Sequence, residues 1–305
     1  MSKEEVSADR CIGVELSSTV MRAVSVAGGV VGGSKVASLS YDASAVEQLS
    51  AFIAACQSEF GGAKVGVAVP ALVGPGRRVV EYSTHIAELS GLDLAAALRA
   101  KSDAAFSIFN DANAAAWAEY KTGAGVGAGD IFYATLGTGV GGAFILKGEI
   151  WMGHGGYAGE FGYVPVREGG DRLEDIASSA NIIRRTRSRV NQDSTSSLAD
   201  VPEGELTISM IVEAAKAGDD FSQLMLDRTG NYVGIAVASV INLLNIERVI
   251  IGGAIMEAGE LILEPIIESA RKRSFLPAFE TTQILQGELG ANAAAIGAAM
   301  LAGMA

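Results

Sequence analysis

The dipeptide Asn110-Asp111 stands where an apolar run, 105–109, gives way to an Ala-rich segment, 112–121. The patterns of these runs predict a strand feeding a helix. Both residues bond the open N–H groups of a helix start, so an N-cap accounts for them. The same position suits chemistry, because a carboxylate at the C-terminal end of a strand can take a proton from a substrate hydroxyl. Glu160, flanked by Gly159 and Gly162 in the glycine-rich run 153–162, reads equally as a solvated charge or as a ligand for a polar substrate. Two further glycine-rich turns follow apolar strands: Gly137-Thr138-Gly139-Val140-Gly141-Gly142 and Gly252-Gly253. Glycine there lets backbone N–H groups approach a phosphate with no side chain in the way, and Thr138 adds a hydroxyl. A tight turn is the competing reading for each. Neither contains Gly-Lys-Ser/Thr, and neither has the spacing of the dinucleotide fingerprint.

The elements that must position these residues follow from periodicity and breakers. Three short Val-rich strands at 11–17, 19–26 and 29–39 are punctuated by Ser or Gly pairs and read as hairpins. An amphipathic helix at 43–60 is stopped by Gly61-Gly62. Strands at 64–69 and 77–82, a helix at 94–101 and the strand at 105–109 lead to Asn110-Asp111. Strands begin again at 130–136 and 140–146. Helices then dominate, at 173–190, 206–217 and 221–245, followed by a strand at 248–251, a helix at 260–273, a strand at 283–287 and an Ala-rich final helix. Two rounds of strands followed by helices predict two α/β lobes. The expected division is 1–112 plus 291–305 as a small N-terminal lobe and 113–290 as a large C-terminal lobe.

Composition narrows the classes of function. The chain has 305 residues, enough for two domains, and 49% are hydrophobic, which rules out wholesale disorder. Lys+Arg number 23 against 35 Asp+Glu, a net charge of −12. A surface so negative repels nucleic acid and anionic membranes, so neither is expected as a partner. The start, MSKEEVSADR, lacks the apolar core of a signal peptide, and the longest uncharged run, after Ala291, is too short to span a bilayer. Cys11 and Cys56 are expected as buried thiols. With His85 and His154 they form no zinc-binding pattern. A reduced, cytoplasmic setting is expected. The basic run Arg184, Arg185, Arg187, Arg189 reads as a solvated helix face.

Taken in order, the strings FNDANAAAWAEY (109–120), LGTGVGGAFILKG (136–148), GYAGEFGYVPV (156–166), VIIGGAIMEAG (249–259) and ELGANAAAIGAAMLA (288–302) resemble the ROK family of bacterial sugar kinases and repressors, within the hexokinase–actin–Hsp70 superfamily. The resemblance implies a duplicated ribonuclease-H-like (actin-like ATPase) α/β fold of two lobes, with ATP and a sugar held in the cleft between them, and a homodimer. It implies that Asp111 is the general base for the 6-hydroxyl of a hexose. Asn110, Glu160 and Glu174 match family residues that bond sugar hydroxyls. Gly137, Thr138 and Gly139 match the second phosphate motif, and Gly252 and Gly253 the adenosine motif.

The sequence also departs from the family. The first phosphate motif, normally Asp, an apolar residue and Gly-Gly-Thr, is here Glu15-Leu16-Ser17-Ser18-Thr19. Glu15 keeps the charge that would organise Mg²⁺ through water, on a longer arm. Ser17 and Ser18 replace glycines that permit positive φ, so either their hydroxyls donate to phosphate or the loop is repositioned. Tyr163 takes the place of the zinc-loop histidine, which changes the pocket near the sugar ring. The segment REGGDRLED (167–175) has no cysteine, so no structural zinc is expected. His85 reads as a surface-loop residue, and His154 carries no role. The leading reading is an ATP- and Mg²⁺-dependent glucokinase-type enzyme acting on glucose, another hexose or an N-acetylhexosamine. A catalytically weak or inactive sugar-binding regulator working through a protein partner is the reading from a different class, and polyphosphate is the alternative phosphoryl donor.

Overall fold

The computed structural model describes residues 10–191 and 196–305. The charged start, residues 1–9, lies outside them. The chain divides into two compact units: Met1–Gly123 with Ile150–Ala158 and Ala291–Ala305, and Ala124–Glu149 with Gly159–Gly290.

The first unit contains strands β1 (Cys11–Leu16), β2 (Val20–Ala27), β3 (Val30–Ser38), β4 (Lys64–Val69), β5 (Leu72–Val73), β6 (Val80–Tyr82) and β7 (Ala105–Asn110). Its main sheet has the order β3-β2-β1-β4-β7, with β1–β3 antiparallel and β1, β4 and β7 parallel. β1 and β4 are nearly continuous apolar runs, CIGVEL and KVGVAV, as strands covered on both faces must be. Helix α1 (Ala45–Phe60) lays Leu49, Phe52, Ile53 and Cys56 into the core; Ser44 caps its start by accepting the Glu47 N–H. Helices α2 (Leu94–Arg99) and α3 (Asp111–Thr122) complete this part of the chain. The C-terminal helix, Ala293–Gly303, crosses β1 so closely that a Cβ on Gly13 would stand 1.8 Å from the Ala295 carbonyl oxygen. Its own Gly297 meets the Ala114 carbonyl in the same way. α3 therefore packs into the first unit, past the expected boundary at 112. The small side chains of both helices, Ala in α3 and Ala with Gly in the C-terminal helix, permit this spacing.

The second unit repeats the pattern. Strands β8 (Ile131–Leu136), β9 (Val140–Leu146), β10 (Glu149–Ile150), β11 (Arg248–Gly252) and β12 (Gln283–Gln286) form a sheet of order β10-β9-β8-β11-β12. Again the hairpin pair is antiparallel and the later strands are parallel. Two copies of one strand order constitute the duplicated ribonuclease-H-like α/β fold. The helices are α4 (Glu174–Ala177), α5 (Ser179–Val190), α6 (Ile208–Lys216), α7 (Asp220–Leu244), α8 (Glu260–Arg273) and α9 (Leu276–Glu280).

Two element predictions are corrected. The single helix at 173–190 is two, because Ser178 is extended (ψ 151°), and the Asn181 amide donates to both the Ser178 hydroxyl and the Glu174 carbonyl across the break. The strand at 77–82 shrinks to β6, since Arg77 takes a left-handed φ of 53° that no strand contains. Cys11 and Cys56 are both buried and form no disulfide, and burial pushes the Cys56 thiol up to about 11. Among the described residues no helix is long and apolar enough to cross a membrane.

Candidate active site

The parallel register of the first unit sets Glu15 opposite Ala68 and Val69 opposite Asn110. Glu15 and Asn110-Asp111 thus leave the sheet at the C-terminal end of its parallel strands, the end where open α/β sheets bind ligands. Asn110 does cap α3: its Oδ1 accepts the Asn113 N–H at 2.9 Å. Its amide nitrogen donates to the Ala71 carbonyl at 3.3 Å and to Asp111 Oδ1 at 3.2 Å. Asp111 Oδ1 also accepts the Ala112 N–H at 2.8 Å. The cap therefore orients the Asp111 carboxylate, and the structural and chemical readings of this dipeptide are compatible.

Burial first, and then the charge of Asp111, push the Glu15 carboxyl up to about 7, while Arg22 pulls the other way. Arg22 is the cross-strand partner of Glu15 on β2, and its Nε lies 4.0 Å from Glu15 Oε2. Sequence reading missed Arg22, although the hairpin register of β1 and β2 contained it.

The turn between β1 and β2 holds none of the chain's positive-φ residues at 17–19, so its serines sit without strain. Ser17 closes the turn itself: its Oγ donates to the Val20 carbonyl at 2.9 Å and accepts the Val20 N–H at 3.1 Å. Where the family pattern uses glycine, this chain uses a hydroxyl. Ser18 Oγ is buried with no hydrogen-bond partner, a state that costs free energy until a ligand satisfies it. An unmet hydroxyl and two mutually repelling carboxylates fit a phosphate group and the cation that accompanies it.

In the second unit, Gly137-Thr138-Gly139 is the hairpin turn from β8 to β9, closed by the Gly137 N–H on the Gly139 carbonyl at 3.0 Å. Thr135 pairs with Gly252, so this turn and Gly252-Gly253 leave their sheet at one end. Gly253 has φ 96°, and a Cβ there would stand 2.3 Å from the Leu136 carbonyl oxygen. Glycine at 253 is required by this approach and by its positive φ. The start of α5 is fastened to the same turn, where the Ser179 N–H donates to the Gly137 carbonyl at 2.8 Å.

Glu174 Oε2 accepts the Val140 N–H at 2.8 Å. The resemblance implies a sugar contact for Glu174; in the structure one oxygen of its carboxylate is bonded to the backbone of the second glycine-rich turn. The Glu160 carboxyl is pushed up by desolvation and, secondly, by the charge of Glu174, so these two groups come together. Tyr163 is half exposed, with the Arg172 guanidinium over its ring at 4.6 Å, which occupies one ring face. His85 sits in a loop with its Nδ1 2.9 Å from the Thr84 hydroxyl, and His154 is exposed. Among the described residues no group of three or more His, Cys, Asp or Glu gathers around one point.

A model of the ROK family matches residues 20–304. The chain is 36% identical over 203 residues to a glucokinase of Halalkalibacterium halodurans, which aligns over 63% of this chain and 62% of that one. It is 31% identical over 243 residues to the DNA-binding transcriptional dual regulator NagC of Escherichia coli, over 77% of this chain and 58% of the regulator. The chain thus spans less than two thirds of the length of these curated relatives. Its fold is similar to the crystal structure of a ROK family glucokinase from Streptomyces griseus in complex with glucose and AMPPNP, with a TM-score of 0.89 and 28% identity, covering 97% of this chain and all of that one. The motif order read from the sequence, the repeated sheet and the match along nearly the whole chain agree: this protein belongs to the ROK family.

Proposed function

We propose that the chain is an ATP-dependent hexose kinase of glucokinase type that phosphorylates the 6-hydroxyl. The observation that carries this reading is the Asp111 carboxylate at the end of three parallel strands, oriented by the Ala112 N–H and the Asn110 amide. Asp111 takes the proton of the attacking hydroxyl, and Asn110 and Glu160 hold neighbouring hydroxyls. Tyr163 borders the sugar on the ring face opposite Arg172. Gly137, Thr138 and Gly139 present N–H and hydroxyl donors to the phosphates, together with Ser17, Ser18 and Thr19. Gly252 and Gly253 leave room for the adenosine. Phosphoryl transfer needs positioning and charge neutralisation more than covalent chemistry, so donors and carboxylates of this kind suffice. Mg²⁺ would be held through water by Glu15, with the phosphates as further ligands, and supplies neutralisation of the phosphate charge.

The similarity to NagC favours a second reading, a sugar-responsive regulator without turnover. One experiment separates the two: ADP release from ATP–Mg²⁺ across a panel of hexoses and N-acetylhexosamines, with Asp111→Ala as control. Turnover that the variant loses establishes the kinase and identifies its sugar. No turnover on any sugar, in a protein whose thermal stability one of them still raises, establishes the regulator.

A further inference from the structure

Helix α5 exposes Arg184 and Arg189 to solvent, as the sequence predicts, while Arg185 is partly buried. Arg184, Arg185 and Arg189 line a cavity of about 540 Å³ in the second unit, and Arg167, Arg228 and Arg273 line it from three other elements. This volume lies within the range of small-molecule sites. Six guanidinium groups surround one cavity in a chain whose net charge is −12. None of the residues lining it belongs to the phosphate turns, the Asn110-Asp111 start or the Glu160–Glu174 pair.

Ordinary structural roles account for only part of this cluster. Arg273 lies in the last turn of α8 and donates to the Ser269 carbonyl at 3.1 Å, a helix-end interaction. Arg167 pairs with Asp171 at 3.0 Å and donates to the Tyr232 hydroxyl at 2.8 Å. Arg184 bonds the Asn181 amide oxygen. Arg185 bonds the Ile176 carbonyl at 2.9 Å, yet burial and the charges of Arg167, Arg228 and Arg184 hold it below the usual guanidinium range. Among the described residues, no ion pair involves Arg184, Arg185, Arg189, Arg228 or Arg273. The guanidinium groups of Arg189 and Arg228 have no hydrogen-bond partner among those residues either. Like charges converge on this cavity, and among the described residues Asp171 is the one carboxylate that pairs with any of its six arginines.

We propose that this cavity is a binding site for a polyvalent phosphate-bearing anion, separate from the loops assigned to ATP and sugar. The guanidinium fork matches phosphate oxygens two at a time, and several forks around one cavity select for an anion that spans them. The inorganic chain and the phosphorylated metabolite share this chemistry.

The test is calorimetric titration of the whole protein with tripolyphosphate, glucose 6-phosphate and orthophosphate, alongside Arg189→Gln/Arg228→Gln. Saturable binding is expected, with each lost guanidinium weakening it about tenfold. Tripolyphosphate should also raise the unfolding temperature more than sodium chloride at equal ionic strength. Arg189→Lys/Arg228→Lys, which keeps the charge and loses the fork, should lie between wild type and the Gln pair, and it provides the reading if the Gln pair does not fold. Tighter binding of tripolyphosphate than of glucose 6-phosphate identifies the inorganic chain as the source, and the reverse order identifies a phosphorylated metabolite. Unchanged affinity in both variant pairs, orthophosphate binding as tightly as the larger anions, or stabilisation matched by sodium chloride would each overturn the proposal.

Discussion

The Glu174 carboxylate accepts the Val140 N–H at 2.8 Å and so ties the start of α4 to the strand leaving the Gly137–Gly139 turn. If that turn holds phosphate, Glu174 acts on phosphate through the backbone. Glu174→Ala is expected to raise KM for the phosphoryl donor more than KM for the sugar. Glu174→Gln keeps an acceptor oxygen and should restore most of the loss. Steady-state kinetics varying each substrate in turn checks this, and a change confined to the sugar KM would make the sugar contact that the resemblance implies the sole role of Glu174.

Glu15 makes stability depend on pH in a defined sense. Its carboxyl lies at about 7 in the folded protein against an ordinary 4.5. Between those values the folded state keeps a proton that the unfolded state has lost, so stability falls as pH rises through the window. The full effect above pH 7 is about 3 kcal/mol. Glu15→Gln, in chelator, should match wild type near pH 4 and unfold at a higher temperature at pH 8. Parallel curves for the two proteins across this range would show that Glu15 is not raised.

Ser18 separates stability from ligand binding. Its buried hydroxyl has no partner, so Ser18→Ala is expected to stabilise the protein by about 1 kcal/mol. If the hydroxyl donates to phosphate, the same change raises KM for ATP. Thermal unfolding and ATP kinetics on one variant decide both points, and a stabilised protein with unaltered ATP kinetics removes Ser18 from the phosphate site.

Asp111→Asn leaves an oxygen that can accept the Ala112 N–H, so the start of α3 should hold. Sugar binding is expected to persist while kcat falls by about 10²–10⁴, the usual worth of a positioned base. Near-normal turnover would assign the proton to another group.

Much of this architecture is legible in the residues themselves. β4, β9 and α8 fall where periodicity and breakers predict them, because strand alternation, a terminating Gly or Pro and an apolar helix stripe are local properties. The ordered motifs and the strand-to-helix step at Asn110-Asp111 carried the family and the cap. The basic run on α5 is exposed at Arg184 and Arg189 as expected, but composition shows where charge occurs along a helix and not that Arg167, Arg228 and Arg273 gather beside it.

The pairings were decided in three dimensions. Glu15 owes its raised carboxyl first to burial and then to Asp111, ninety-six positions away. The two meet only because β1, β4 and β7 lie side by side in parallel. Glu174 finds Val140, and Arg185 finds Arg167 and Arg228, through helices whose directions depend on the break at Ser178. The sequence alone therefore determined most of the elements, their order and the residue types available for chemistry, since these depend on neighbours along the chain. Which carboxylate feels which charge, and which arginines share a cavity, depends on register and helix packing, and only the tertiary structure determines those.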